Sequence, residues 1–232
     1  MSIAEAAPVA SDAVDDYRQA QRCLLTEVLT PTLDRLHPGD SYFVGCGVGI
    51  EWNPEASDPA ARHVYPDWYF VPNAPRLKDG EPRRAFEFWR EVFRNMIVIE
   101  CVTGDGHSER DPRPHRGKFW IYERPLRVIS YLIWQPEAQR LDVYEDRHGR
   151  LTAQAMTDDG RYWTPEMDCS FGVWSGAYRG IAARWLRAWD RDGNLLPTAA
   201  ERAAASRPEA PPSRVERLAA RLRELGVDPD SV

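Results

Sequence analysis

Two short apolar runs, each with one acid at its end, most constrain what this chain can fold into. The run Trp68-Tyr69-Phe70-Val71 follows Asp67, and the run Met96-Ile97-Val98-Ile99 precedes Glu100. An apolar run with no polar interruption is typical of a buried strand. An acid at the end of such a strand is costly unless it is paired or binds a metal ion. We therefore interpret Asp67 and Glu100 as candidate site residues on two strands.

Lys118 follows these strands, on what should be the first turn of a helix. Two acids and a lysine make the minimal set for metal-dependent phosphodiester hydrolysis. The carboxylates would hold a divalent cation, and the lysine would position or activate the attacking water. Asp67 and Lys118 could also have no catalytic role. Asp67 would then be a solvated acid after Pro66, and Lys118 would belong to a solvated basic face that it shares with Arg113, Arg116 and Arg124.

Composition bounds the class of protein. The 232 residues suffice for one well-buried core, and 43% hydrophobic and 11% aromatic content favours a globular chain. The formal charge of −6 argues against a protein that coats nucleic acid. A nuclease can still confine positive charge to one groove. A local cluster of this kind contains Arg110, Arg113, His115, Arg116 and Lys118.

Two further features bear on the cell compartment. No apolar run approaches the roughly 20 residues that a membrane span needs, and the N-terminus lacks a basic stretch and an apolar signal core. We therefore expect no membrane association and a cytoplasmic protein. The cysteines are scattered, which favours free thiols over a zinc site or a disulfide framework. They are Cys23, Cys46, Cys101 and Cys169.

The order of predicted elements is helix, strands, helix, strands, which predicts an α/β core around a mixed sheet. Helical spacing predicts a first helix from Asp12 to about Leu36, which Pro31 should interrupt. A second helix should run from about Pro112 to Tyr122 or Arg124. A short helix is expected around Phe86–Phe93.

Four regions are predicted along the chain. Residues 1–12 form a disordered N-terminus, 13–196 a single domain, 197–213 a linker and 214–232 a C-terminal amphipathic helix. The leucines of that helix, Leu218, Leu222 and Leu225, share one face. The helix should therefore dock on the body or on a second copy of the chain, and the second arrangement would make a homodimer.

Residues 65–196 resemble the Uma-type restriction endonuclease family, also known as domain of unknown function 820. The resemblance begins with the Pro-Asp strand Tyr65–Val71 and continues with Ile97–Val102, which ends like the family's second strand. Gly117–Glu123 with Asp111 is similar to its Asp…Lys…Tyr helix, and Ile129–Pro136 to its Glu-Tyr-Trp-x-x-Asp-Pro strand. The tail Arg217–Pro229 is similar to a recurrent C-terminal ending of these proteins.

The resemblance implies a restriction-endonuclease-like α/β fold of the PD-(D/E)xK superfamily, in which helices flank a central mixed sheet. Here the fold would carry extra C-terminal strands and a C-terminal helix. By position, Asp67 and Glu100 would be metal ligands and catalytic residues, and Lys118 the catalytic lysine. Val102 stands where the superfamily has its lysine, so Lys118 must reach in from the helix. The expected ion is Mg²⁺, with Mn²⁺ as the alternative.

These implications predict a metal-dependent endonuclease that hydrolyses DNA. The alternative is a non-catalytic scaffold or interaction protein that retains the nuclease fold, which the acidic pI and the Thr103–Gly106 loop favour. Other polar residues have open roles. Glu51 is a candidate third acid, Asp111 is read as a helix cap, and His107 and His115 are read as surface residues rather than bases.

Overall fold

The computed structural model describes residues 11–91, 95–207, 221 and 223. Its helices are α1 (Ser11–Leu36), α2 (Pro59–Arg62), α3 (Lys118–Glu123) and α4 (Ala199–Ala205), with a 3₁₀ turn at Pro165–Met167. The strands are β1 (Tyr42–Gly45), β2 (Gly49–Glu51), β3 (His63–Val64), β4 (Trp68–Pro72), β5 (Leu77–Lys78), β6 (Glu81–Pro82), β7 (Ala85–Glu87), β8 (Ile97–Cys101), β9 (Ser130–Gln135), β10 (Arg140–Asp146), β11 (Leu151–Ala153), β12 (Tyr162–Thr164), β13 (Cys169–Tyr178) and β14 (Ile181–Trp189). Within this part of the chain, no helix is both long and apolar enough to cross a bilayer.

A six-stranded mixed sheet forms the centre, in the order β1-β4-β8-β9-β10-β11. β8 and β9 are parallel, and the other neighbours are antiparallel. The predicted mixed sheet is therefore confirmed. In the register of β4 and β8, Trp68 pairs with Ile99. Since the two strands run in opposite directions, the start of β4 and the end of β8 meet at one edge of the sheet.

Two apolar layers cover the central sheet. On one face, α1 and the sheet β12-β13-β14 pack against residues such as Trp68, Ile99 and Trp134. On the other face, α3 and the small sheet β3-β2-β7 pack against residues such as Tyr69 and Val98. Side chains of a strand alternate between faces, so β4 and β8 bury apolar residues on both sides. This explains why their sequences read as uninterrupted apolar runs.

The prediction that Pro31 interrupts the first helix is wrong. α1 runs through Pro31 from Ser11 to Leu36. Proline removes one backbone hydrogen bond, but Leu29 and Leu33 on either side are fully buried against the sheet. Packing of this apolar face outweighs the lost bond.

Two other helix predictions need correction. The second helix begins at Lys118 rather than near Pro112, because Asp111 accepts the Arg113 N–H in a turn and the prolines cannot donate. The helix expected at Phe86–Phe93 is wrong at its start. Phe86 lies in β7, parallel to β2, with its ring against Phe43; residues 92–94 lie outside the described part.

The chain divides into two units, residues 1–198 and 199–232. α4 lies within the 197–213 segment interpreted as a linker. The disordered N-terminus was predicted for residues 1–12, and the structure describes this segment only from Ser11, within α1. Of the C-terminal helix predicted for residues 214–232, the structure describes only residues 221 and 223, so Leu218, Leu222 and Leu225 lie outside the described residues.

Candidate functional site

The structure brings the two predicted acids together at the edge of the central sheet. Asp67 immediately precedes β4, and Glu100 lies one residue before the end of β8. The Asp67 N–H donates to Oε2 of Glu100 over 3.3 Å, and the Cys101 N–H donates to Oδ2 of Asp67 over 2.8 Å. The two carboxylates therefore accept hydrogen bonds from backbone N–H groups at the point where the pairing of β4 and β8 ends.

Asp67 is bound by two arginines of α1. Arg18 donates from Nη2 to Oδ1 over 2.9 Å and to Oδ2 over 3.2 Å. Arg22 donates from Nε to Oδ1 over 2.9 Å, and a second bond comes from its Nη2. Counting the Cys101 N–H, both carboxylate oxygens accept charge-assisted or backbone hydrogen bonds. The Asp67 carboxylate is therefore paired rather than solvated.

Glu100 is bound by α3. Tyr122 donates to Oε1 over 2.6 Å, and Lys118 Nζ lies 2.9 Å from the same oxygen. Lys118 also donates to Oε1 of Glu109 over 3.3 Å. The backbone carbonyl of Glu109 accepts from Tyr131, which fixes the loop that carries this acid. Lys118 is thus held between two carboxylates, as a positioned cation.

A close approach at Gly117 places Lys118. Gly117 precedes the first residue of α3 with an extended backbone. A Cβ at this position would lie 2.0 Å from the backbone carbonyl oxygen of Asp111. Only glycine fits there without moving the loop, so the start of α3 is set by this contact. The prediction that Lys118 lies on the first turn of a helix is confirmed.

α1 is fixed around its arginines by buried polar contacts. Gln21 is fully buried, accepts the Leu186 N–H of β14 over 2.9 Å and donates to the Leu186 carbonyl over 3.0 Å. Tyr17 stacks on Trp185 with ring centroids 4.7 Å apart. Trp68 donates to Thr26 over 3.0 Å. The backbone that carries Arg18 and Arg22 is therefore anchored to both neighbouring sheets.

The charges at the site shift the pKa values of its members. Burial raises the pKa of Glu100 to about 7, although Lys118 opposes the shift. Burial would also raise the pKa of Asp67, but Arg18 and Arg22 outweigh it and lower that pKa below its usual value. Burial would lower the pKa of Lys118, but Glu100 and Glu109 outweigh it and raise that pKa. Lys118 is therefore a cation at neutral pH.

The carboxylates of Asp67 and Glu100 are of the chemical type that binds a divalent cation. In the structure, however, the Asp67 carboxylate binds two arginine side chains. Two carboxylates at one sheet edge are the hard oxygen ligands that Mg²⁺ takes. Among the described residues, however, no group of three or more His, Cys, Asp or Glu side chains is arranged to hold a metal ion. An ion shared by Asp67 and Glu100 would need the oxygens that Arg18 and Arg22 now occupy.

A basic pocket opens beside Lys118. Its cavity measures about 520 Å³, and its lining includes Arg110, Arg113 and Arg116. Arg113 is paired with Asp111 over 2.7 Å, and Arg110 contacts Gln135 and Asp142. The pocket contains the basic cluster that the sequence indicated, except for His115, which packs against Trp120 with ring centroids 4.4 Å apart.

The remaining predicted polar residues lie in other surroundings. Glu51 is in β2, where it accepts from Trp89 over 2.8 Å and lies 3.9 Å from Arg62. Asp111 holds Arg113 through its N–H and its guanidinium rather than capping α3. His107 is exposed on the loop, and its N–H donates to Asp105. Glu51 thus pairs with residues next to the small sheet, Trp89 after β7 and Arg62 at the end of α2.

Sequence reasoning did not identify Arg18, Arg22 and Glu109 as members of the site. A spacing of four residues puts Arg18 and Arg22 on one face of a helix. For the two arginines, this spacing is the only signal in the sequence, and it is equally typical of a solvent-exposed helix face. Tyr122 follows Lys118 by four residues and shares its face in the same way.

Fold and site together define an α/β protein with two acids and a lysine at the edge of a mixed sheet. Residues 14–182 match the model of the Uma2 family, described as "Putative restriction endonuclease". The chain belongs to this family. Restriction-endonuclease-like families generally use divalent metal ions.

All four cysteines are free thiols.

One solved structure is a distant likeness. It is a protein from Anabaena variabilis ATCC 29413, whose title describes "a putative nuclease belonging to DUF820". The two share 13% sequence identity over 65% of this chain and 72% of the other, with a TM-score of 0.39. At that score the likeness carries no argument about this chain. No curated protein matches the sequence.

Proposed function

We propose that this protein is a metal-dependent endonuclease that hydrolyses DNA phosphodiester bonds. The observation that carries the proposal is the meeting of Asp67, Glu100 and Lys118 at one sheet edge. The Asp67 N–H lies 3.3 Å from a Glu100 oxygen, and Lys118 Nζ lies 2.9 Å from the other. Membership of the Uma2 family supports the same reaction class.

Asp67 and Glu100 are the residues that would hold the cation. We propose Mg²⁺ as the ion, with Mn²⁺ as the alternative, because carboxylate oxygens with remaining sites for water and phosphate suit hard cations. The bound ion would supply Lewis-acid polarisation of the phosphate and a water of lowered pKa. The raised pKa of Glu100 reflects burial, which makes its carboxylate costly without a positive partner.

Lys118 acts as a fixed cation. Its pKa is raised, so it stays protonated and does not serve as a neutral base. The ammonium group can orient the attacking water or neutralise negative charge that develops on the phosphate. Glu100 and Glu109 hold it in place, which lowers the reorganisation needed during the reaction.

We propose that DNA approaches over the basic pocket beside Lys118. Arg110, Arg113 and Arg116 line it next to Lys118, and two of them, Arg110 and Arg113, also pair with Asp142 and Asp111. Such local charge contacts phosphates without making the whole protein a nucleic-acid coat. The cytoplasm is the compartment we expect. A homodimer through the C-terminal helix remains a prediction, since the leucines of that helix lie outside the described residues.

A nicking assay on supercoiled plasmid tests the proposal. The wild type should convert the plasmid to its open-circular form with Mg²⁺ or Mn²⁺ and not with chelator. Glu100→Ala should lose this activity. Glu123→Gln is a matched control, because Glu123 lies on α3 and pairs with Arg150 and the Leu151 N–H, outside the acid pair. Equal nicking by wild type and Glu100→Ala would refute the proposal.

One observation favours a second candidate function, a non-catalytic scaffold or interaction protein that retains the nuclease fold. Both oxygens of Asp67 are bound by Arg18, Arg22 and Cys101. A scaffold could keep this ion pair as a structural element and would have no reason to bind Mg²⁺ or Mn²⁺. Cation binding at Asp67 and Glu100 therefore separates the two functions.

A further inference from the structure

We propose that Arg18 and Arg22 are built-in competitors of the divalent cation at Asp67. The inference rests on the proposed function, because it assigns these arginines a role at the same acid pair. In the structure, the two guanidinium groups bind the carboxylate that would hold the ion. The arginines then set how tightly the site takes its metal, and cation binding requires that they release Asp67.

The hydrogen bonds to Asp67 fill the acceptor positions of both carboxylate oxygens. Oδ1 accepts from Arg18 Nη2 and from Arg22 Nε, each over 2.9 Å. Oδ2 accepts from the Cys101 N–H over 2.8 Å and from Arg18 over 3.2 Å. A metal ion at about 2.1 Å from a carboxylate oxygen would need one of these acceptor positions. The ion and the guanidinium groups are therefore alternative partners of the same atoms.

The Asp67 side chain is less exposed to solvent than the side chains of the two arginines that bind it. The Asp67 side chain is 4% exposed, whereas those of Arg18 and Arg22 are 31% and 23% exposed. The carboxylate is thus covered, and its two cationic partners reach solvent. A cation arriving from solvent meets positive charge before it meets the acid.

Charge at the site supports the same conclusion. The ionised cluster pairs three cations (Arg18, Arg22 and Lys118) with three acids (Asp67, Glu100 and Glu109). When Glu100 is ionised, as a metal ligand must be, the cluster is already neutral, and a divalent ion would bring two further positive charges to it. Movement of the guanidinium groups away from Asp67 restores the balance.

The arginine side chains, rather than the helix, make this exchange. Gln21 binds both backbone groups of Leu186, and Thr26 accepts from Trp68, so the backbone of α1 is fixed on either side of Arg22. Both arginine side chains are partly exposed. A change of rotamer in these side chains then releases Asp67 while the backbone of α1 stays in place.

The test measures Mn²⁺ affinity by titration calorimetry and by electron paramagnetic resonance of free Mn²⁺, so it does not depend on cleavage. Arg18→Gln/Arg22→Gln should bind Mn²⁺ at least about tenfold more tightly than the wild type, a coupling of the usual size between competing ligands. Each single substitution should give a smaller increase, and these variants serve if the double variant does not fold. Arg35→Gln is the matched control, since Arg35 lies on α1 and pairs with Asp168 over 3.5 Å. Its affinity should equal that of the wild type.

The outcomes separate this inference from the proposed function. Equal Mn²⁺ affinity in the wild type and the arginine variants overturns the competition and leaves the endonuclease proposal standing. No binding to any of them overturns both. Tighter binding that persists when Asp67→Asn is added also overturns the inference, because the ion would then bind elsewhere. Tightening that needs Asp67 and is absent in Arg35→Gln supports it.

Discussion

Arg22 binds Asp67 across two layers of the fold, with its Nε 2.9 Å from Oδ1 of the acid. The pair joins α1 to the start of β4 at the point where Asp67 also accepts the Cys101 N–H of β8. One carboxylate thus links a helix and two strands of the central sheet. Asp67, the acid expected to hold a metal ion, therefore also has a structural role.

Removing one arginine should destabilise the metal-free protein. Arg22→Gln leaves a buried carboxylate with fewer donors, and we expect a loss of about 1–3 kcal/mol in the free energy of unfolding. Arg35→Gln breaks an exposed pair and should cost about 0.5 kcal/mol or less. Chemical denaturation measures both. Equal losses in the two variants would show that the pair at Asp67 contributes no more than a surface contact.

Moving the start of α3 should impair the site. In Gly117→Ala, the new Cβ would meet the Asp111 carbonyl oxygen at 2.0 Å, so the loop or the helix must shift. We expect about 1–3 kcal/mol of destabilisation from this overpacking. Plasmid nicking should fall as well, because Lys118 follows directly. A variant with the melting temperature and nicking rate of the wild type contradicts this role of Gly117.

Stability should depend on pH through Glu100. Its pKa is raised from 4.5 to about 7 by burial, so the folded protein keeps a proton that the unfolded chain releases. The stability from that proton is fully present below about 4.5 and is lost as pH rises through about 7. Lys118 and Asp67 stay charged in this window, since their pKa values are raised and lowered respectively.

Glu100→Gln does not titrate at this position and isolates the effect. The free energy of unfolding of the wild type, relative to this variant, should fall as pH rises between those two values. Denaturation curves of both proteins, without metal, give the difference at each pH. A difference that is flat or rises with pH would mean that Glu100 keeps an ordinary pKa.

Lys118→Ala should separate chemistry from metal binding. Lysine is not a metal ligand, so Lys118→Ala should still bind Mn²⁺, and loss of the contact between Lys118 and Glu100 should tighten that binding rather than weaken it. Plasmid nicking should fall at least about a hundredfold, the usual cost of losing one group that stabilises charge in the transition state. Arg124→Ala removes a cation of the same region that pairs with Glu123 and should keep the wild-type rate. Nicking by Lys118→Ala at that rate would remove the lysine from the mechanism.

The sequence predicted the parts of the fold that local pattern determines. Uninterrupted apolar runs identified β4 and β8, and helical spacing identified α1. β13 was missed, because its glycines, serines and aromatic residues form neither an apolar run nor a clear alternation. The strand at Phe86 was read as a helix, because its pairing with β2 is a tertiary contact.

Local sequence pattern likewise predicts some residues of the site and misses others. Strand ends and a helix start identified Asp67, Glu100 and Lys118, and the structure brings these three residues together. Arg22 lies 45 residues before Asp67, and only the packing of α1 on the sheet brings them into contact. No local pattern distinguishes such an arginine from one on a solvated face.

Thermal unfolding with added Mg²⁺ or Mn²⁺ tests whether Asp67 and Glu100 hold a divalent cation. A ligand that binds only the folded state stabilises it by RT ln(1 + [L]/Kd), about 2.7 kcal/mol at a hundred times Kd. The wild type should melt at rising temperature as cation is added, and Glu100→Gln should respond much less. If millimolar cation leaves both melting temperatures equally unchanged, the acid pair does not bind metal and the scaffold function takes the place of the nuclease.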